Sequence, residues 1–209
     1  ASTKMGSSAD MGIGLKWKPN GLYYANFMIR NGVGYKLTEN DMYKNFQVRA
    51  GGYFHEKAIH VSVYAEIEPW MGVDDAGESK GYNNIQFDLF GSYEKKGVFL
   101  VGVNYNSKTI PGSLDDITAS CISGFGNVFI VEKKLKALAR YDIYQTGFND
   151  AERQPALEEL ETNTSLLIIG LDWMPAKKVH LIPNVQILSF EDSDIDANNT
   201  FYVHLWYNI

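Results

Sequence analysis

Ile59-His60-Val61-Ser62-Val63-Tyr64-Ala65-Glu66-Ile67-Glu68 decides the fold. Ile59, Val61, Val63, Ala65 and Ile67 alternate strictly with His60, Ser62, Tyr64, Glu66 and Glu68. A helix would scatter both sets around its axis. A strand sends them to opposite faces, one apolar and one polar or aromatic.

The same period of two recurs along the chain. Met11, Ile13, Leu15 and Trp17 alternate with Gly12, Gly14 and Lys16; Tyr23, Ala25, Phe27 and Ile29 alternate with Asn26, Met28 and Arg30. Val101, Val103 and Tyr105 oppose Gly102 and Asn104, and Phe201, Val203, Leu205 and Tyr207 oppose Tyr202, His204 and Trp206. Between Cys121 and Val131 both parities are mixed, so a strand is expected there without assigned faces. The count comes to about eleven strands, each near the roughly 9–11 residues that a tilted membrane-spanning strand needs. Soluble strands are commonly about 5–6 residues. Residues 151–161 read as a short helical turn inside a loop.

The connections alternate in length. Short turns follow Trp17, Phe54, Tyr93, Val131 and Met174; long polar connections span 31–44, 72–83, 106–119, 147–163 and 190–199. An up-and-down meander through a membrane has this form, with short turns on one rim and long loops on the other. The short turns carry lysines such as Lys57, Lys133 and Lys178, and the long loops carry acids such as Asp74, Glu158 and Asp192. Solvation alone accounts for polar turns, but not for segregation by sign. Trp17, Tyr23, Phe54, Trp70, Tyr93, Phe99, Trp173 and Tyr207 fall near strand ends, where amphipathic rings would form interfacial girdles.

Composition narrows the function. The 209 residues suit a single domain over 1–209. Lys plus Arg is 19 against 25 Asp plus Glu, a net charge of −6 that argues against nucleic acid as a partner. No apolar run reaches the length of a membrane helix, and a mean hydropathy of −0.22 suits a strand-built barrel as well as a soluble protein. Cys121 is the one cysteine, which leaves no internal disulfide and no thiolate zinc cage. The start at Ala1 is consistent with a processed N-terminus or with a trimmed one. No cofactor is expected.

The C-terminal region carries a resemblance. Gly170-Leu171-Asp172-Trp173-Met174-Pro175, then Lys178-Val179-His180-Leu181-Ile182-Pro183-Asn184-Val185, resembles the C-terminal part of bacterial outer-membrane porins of the phosphate-selective and Bacteroidetes-like types. The aromatic strand from Thr200 to Ile209 is similar to the terminal signal of such barrels, although it ends in Ile rather than Phe or Trp. The resemblance implies an antiparallel up-and-down transmembrane β-barrel in the bacterial outer membrane. It also implies lipid as surroundings and a homo-oligomer, although no stretch marks an interface. Members of that porin type are longer, so no phosphate site is carried over. Single-chain bacterial barrels have even strand numbers, so eleven strands point to about twelve, or to part of a larger porin.

On a barrel the polar parity would line the lumen. Lys16, Arg30, Arg49 and Arg140 with Glu66, Asp88 and Asp142 are the expected pore-lining residues; Lys136, Glu68 and Asp172 share their parity. Opposed charges would filter small polar solutes or ions in passive diffusion. Bulky Tyr24, Tyr64, Phe90, Tyr144 and Trp206 favour a filled interior instead, that is, a closed structural or interaction barrel. A third reading is a soluble β-barrel with the apolar parity inward around a lipophilic ligand. Catalysis has weak support: His60 and Ser62 stand two apart on one strand, roughly 7 Å between Cβ atoms, with no nucleophile elbow. Asp192-Ser193-Asp194-Ile195-Asp196-Ala197-Asn198 imitates a calcium loop but has Ala197 where glycine is required. It reads as a solvated acidic loop. His55 and His180 read as rim residues, and Cys121 as a small buried hydrophobe.

Overall fold

The structure is a computed structural model that describes residues 11–31, 43–73, 79–111, 116–147 and 162–207. Eleven strands follow one another: β1 (Gly12–Trp17), β2 (Tyr23–Arg30), β3 (Asn45–Phe54), β4 (Ile59–Val73), β5 (Ser79–Lys95), β6 (Phe99–Ile110), β7 (Ile117–Val131), β8 (Leu135–Gln145), β9 (Thr164–Ala176), β10 (Val179–Phe190) and β11 (Asn198–Tyr207). They form one sheet in chain order, and each strand is antiparallel to the next. This is the all-β up-and-down architecture expected. The sheet is open: β1 and β11 are its two edges and do not pair with each other.

The two rims differ as the spacing predicts. On one rim, tight turns join β3 to β4, β5 to β6 and β7 to β8. They are closed by Ala58 N–H to His55 O at 2.9 Å, Val98 N–H to Lys95 O at 2.9 Å and Lys134 N–H to Val131 O at 3.0 Å. Each needs a residue in the left-handed region. Gly97 supplies it at φ 73°, whereas Lys57 and Lys133 adopt φ of 70° and 57° with a side chain attached, as does Lys178 at 69° between β9 and β10. On the other rim two connections are shorter than the sequence suggests. β4 pairs with β5 as far as Val73 opposite Ser79, and β6 with β7 as far as Ile110 opposite Ile117. Backbone pairing continues past the apolar alternation, because polar residues such as Asn83 and Ser107 keep the ladder once outside an apolar layer. The helical turn expected at 151–161 lies outside the described residues, as do Asp74, Glu158 and most of the acidic loop residues.

Packing is inverted relative to a soluble domain. Among the described residues no apolar side chain is buried; Asn45, Ser62, Glu66, Ser123, Asp142, Asp172 and Asn184 are. The apolar parity stands outward on every strand, with Leu15 75% exposed and Leu205 71% exposed. A soluble barrel around a lipophilic ligand needs the reverse arrangement. Exposed apolar surface of this extent marks contact with lipid or protein. Tyr23 meets Phe54 edge-on at 6.0 Å and Tyr93 meets Phe99 at 5.8 Å, so the outward rings gather at the short-turn rim. Trp70 falls at the other end of β4, opposite Tyr82.

Candidate lumen wall

Register places the expected residues on one face. Reading across the sheet, Lys16, Asn26, Arg49, Tyr64, Asp88 and Asn106 are successive partners on β1 to β6. Gln47, Glu66 and Gln86 form the neighbouring row towards the long-loop rim. Towards the short-turn rim, Ser62, Phe90, Asn104, Ser123 and Asp142 form another. Partners in an antiparallel ladder point the same way, so all seven expected residues share the polar face.

Their surroundings differ. Glu66, 7% exposed, is the centre of a closed cluster. Its Oε1 accepts from Arg30 Nη2 at 2.8 Å and Asn45 Nδ2 at 2.6 Å; its Oε2 accepts from Gln47 Nε2 at 2.8 Å and from the Tyr64 hydroxyl. Four donors, one of them a guanidinium, compensate the carboxylate for lost water. Arg30 and Glu66 thereby neutralise each other inside the wall. Arg49 is exposed and lies over the Tyr64 ring at 5.1 Å. Arg49 and Asp88 both border two hollows on this face, of about 400 Å³ and about 370 Å³. Arg140 is intermediate: its Nε bonds both Asp142 oxygens at 2.8 and 2.9 Å, yet the side chain is half exposed. Lys16 stands exposed on the edge strand β1.

Several contacts in this wall go beyond what the alternation gives. Asn45 and Gln47, the latter on the polar parity of its strand, complete the Glu66 cluster, and only strand register could pair them with it. Phe125 turns out to face inward, which settles the parity that the mixed stretch 121–131 left open. Two outward glycines, Gly124 and Gly126, had blurred its apolar face. At the short-turn end Asp172 accepts from His180 Nδ1 at 2.7 Å and lies 3.8 Å from Lys136 Nζ, so His180 is tied to the wall rather than free at the rim. His60 Nε2 is engaged by the Tyr24 hydroxyl at 3.0 Å, not turned towards Ser62. In the loop after β10, the Asp192 side chain accepts the Asp194 amide at 2.9 Å, an Asx turn.

No family model and no curated protein matches the sequence. Among solved structures, the chain is similar to the outer membrane channel DcaP of Acinetobacter baumannii, with a TM-score of 0.68 at 10% identity. The match covers 94% of this chain and 61% of that one, so the chain spans about three fifths of that channel's length. At this identity the likeness speaks for the fold.

Proposed function

We propose that the chain forms the wall of a porin-like channel in the bacterial outer membrane, passing small polar solutes or ions by diffusion. The observation that carries this reading is the inverted packing. Apolar side chains face out along the strands, while ionised groups are held on the opposite face around open hollows. Lipid satisfies the first face and water the second. The mechanism needs no catalytic group: a polar wall replaces part of a solute's hydration, and unneutralised charge biases which ions enter. Arg49 and Asp88 are the filter groups, Arg140 a weaker one, and Lys16 faces the same passage from β1. Arg30, Glu66 and Asp142 hold the wall in shape.

A lumen also needs closure, because a bilayer leaves no open sheet edge satisfied. β1 and β11 are both odd strands of one meander and run the same way, so joining them directly would make a parallel pair. A second copy paired edge to edge in antiparallel sense would have to be inverted, placing its long loops on the wrong rim. An odd number of further strands between β11 and β1 keeps every pair antiparallel and the total even.

Reconstitution into planar lipid bilayers tests the function. Stepwise conductance from a protein that needs detergent and shifts mobility on heating in SDS gels is the expected result. A monodisperse β protein folded without detergent would overturn it. The two faces are separated by a pair of substitutions: Val103→Arg puts charge on the apolar face, at about 2–4 kcal/mol near a bilayer midplane, whereas Asn104→Arg on the polar face costs little. Equal losses in lipid would end the membrane reading.

A further inference from the structure

The polar face carries a band of aromatic rings that the filter does not use. Tyr24, Tyr53, His60, Phe90 and Phe125 follow one another across β2 to β7. Their centroid separations are 6.3 Å, 4.4 Å, 5.3 Å and 6.0 Å. Two of the rings are seated against glycines on the adjacent strand. A Cβ on Gly51 would come within 2.6 Å of the Tyr24 ring, and one on Gly102 within 2.5 Å of the Phe125 ring. Tyr24 pairs directly with Gly51, and Phe125 with Gly102. A ring that occupies the space above its partner's Cα leans along the sheet rather than standing away from it. Phe90 lies within 23° of the Phe125 plane, so these two rings form a low platform at the hollow of about 370 Å³, which they border together with the tilted His60 ring, itself stacked on Tyr53.

The rest of that hollow is polar and mixed in sign. Ser62, Asn104 and Ser123 offer both donors and acceptors, and Asp88 and Arg49 both border it. Flat aromatic faces carry partial negative charge and attract the positively polarised C–H bonds of a ring laid on them. Hydroxyls at the edge of such a ring then need donors and acceptors together. An anion would find Arg49 alone: Asp88 and the ring faces repel it, and Arg140 is already held by Asp142. A covered glycine also steadies the sheet, but that role does not require polar groups of both kinds around the rings.

We infer that the aromatic band and the polar groups above it form a subsite for a neutral pyranose sugar. This rests on the polar face being the passage proposed above. Binding is weak and fast, because a permeating solute must leave as readily as it enters.

The test reads binding and conduction separately. The full chain in an amine-oxide detergent, free of sugar head groups, is examined by saturation-transfer NMR with methyl α-glucopyranoside, with acyclic sorbitol and with benzoate. Transfer to the axial C–H protons of the glucoside, little to sorbitol, is expected. Phe90→Leu and Phe125→Leu keep apolar bulk but lose the flat face, and each should weaken the half-saturation about threefold to tenfold. Phe90→Tyr should retain it. Equal transfer to sorbitol, unchanged binding in both leucine variants, or transfer to benzoate alone would overturn the sugar subsite. The wild-type comparison of the three probes stands even if a variant does not fold. Glucoside binding without bilayer conductance would sink the channel reading alone; conductance without glucoside binding would sink the subsite alone.

Discussion

Arg30 and Arg49 lie on neighbouring strands of the same polar face and have opposite fates. Arg30 is sealed against Glu66, with Asn45, Gln47 and Tyr64 completing the carboxylate's shell. Arg49 has an aromatic ring beneath it and open space above. The first arrangement converts charge into cohesion, because a compensated ion pair presents little net field to a passing ion. The second leaves charge available to solutes and contributes little to stability. A charged residue facing a lumen is therefore not yet a filter; what it is bonded to decides.

Four substitutions test that division, in falling order of their effect on stability. Glu66→Ala leaves the Arg30 guanidinium and three neutral donors without their acceptor. It should cost about 3–5 kcal/mol, read as a lower denaturant midpoint of the lipid-embedded protein. Arg30→Ala should cost less, about 1.5–3 kcal/mol, because the carboxylate retains Asn45, Gln47 and Tyr64. If the two midpoints fall equally, the neutral donors do not share the load as described. Arg140→Ala removes a half-exposed partner of Asp142, a loss of up to about 1 kcal/mol. It also frees that carboxylate, so the reversal potential in a salt gradient should move modestly towards cations. Arg49→Ala should leave the midpoint within about 1 kcal/mol, since an exposed cation over a ring is worth no more. Its reversal potential should nonetheless shift furthest towards cations of the four. A larger selectivity change from Arg30→Ala than from Arg49→Ala would break the comparison.

Much of this wall was legible in advance because period two is unambiguous when each strand has one apolar face. The stretch from Ile59 to Glu68 already assigned Glu66 and His60 to the polar face, and register bears that out. The mixed stretch from Cys121 to Val131 defeated the same logic. There Gly124 and Gly126 stand outward and Phe125 inward, so neither parity is apolar throughout. Asn45 was invisible as a partner of Glu66, since twenty-one residues separate them and only the β3–β4 register brings them together.

The sequence by itself determined the strands, their order, the two unlike rims and, outside the stretch from Cys121 to Val131, which side chains share a face. Those follow from local alternation and turn chemistry, and they need no knowledge of distant contacts. Tertiary structure alone decided which charges are silenced and which stay open. It also decided that the apolar face is the exposed one, and that rings from β2 to β7 line up, two of them over glycines. These depend on register between strands and on the curvature of the sheet, and a one-residue slip in either would exchange every partner.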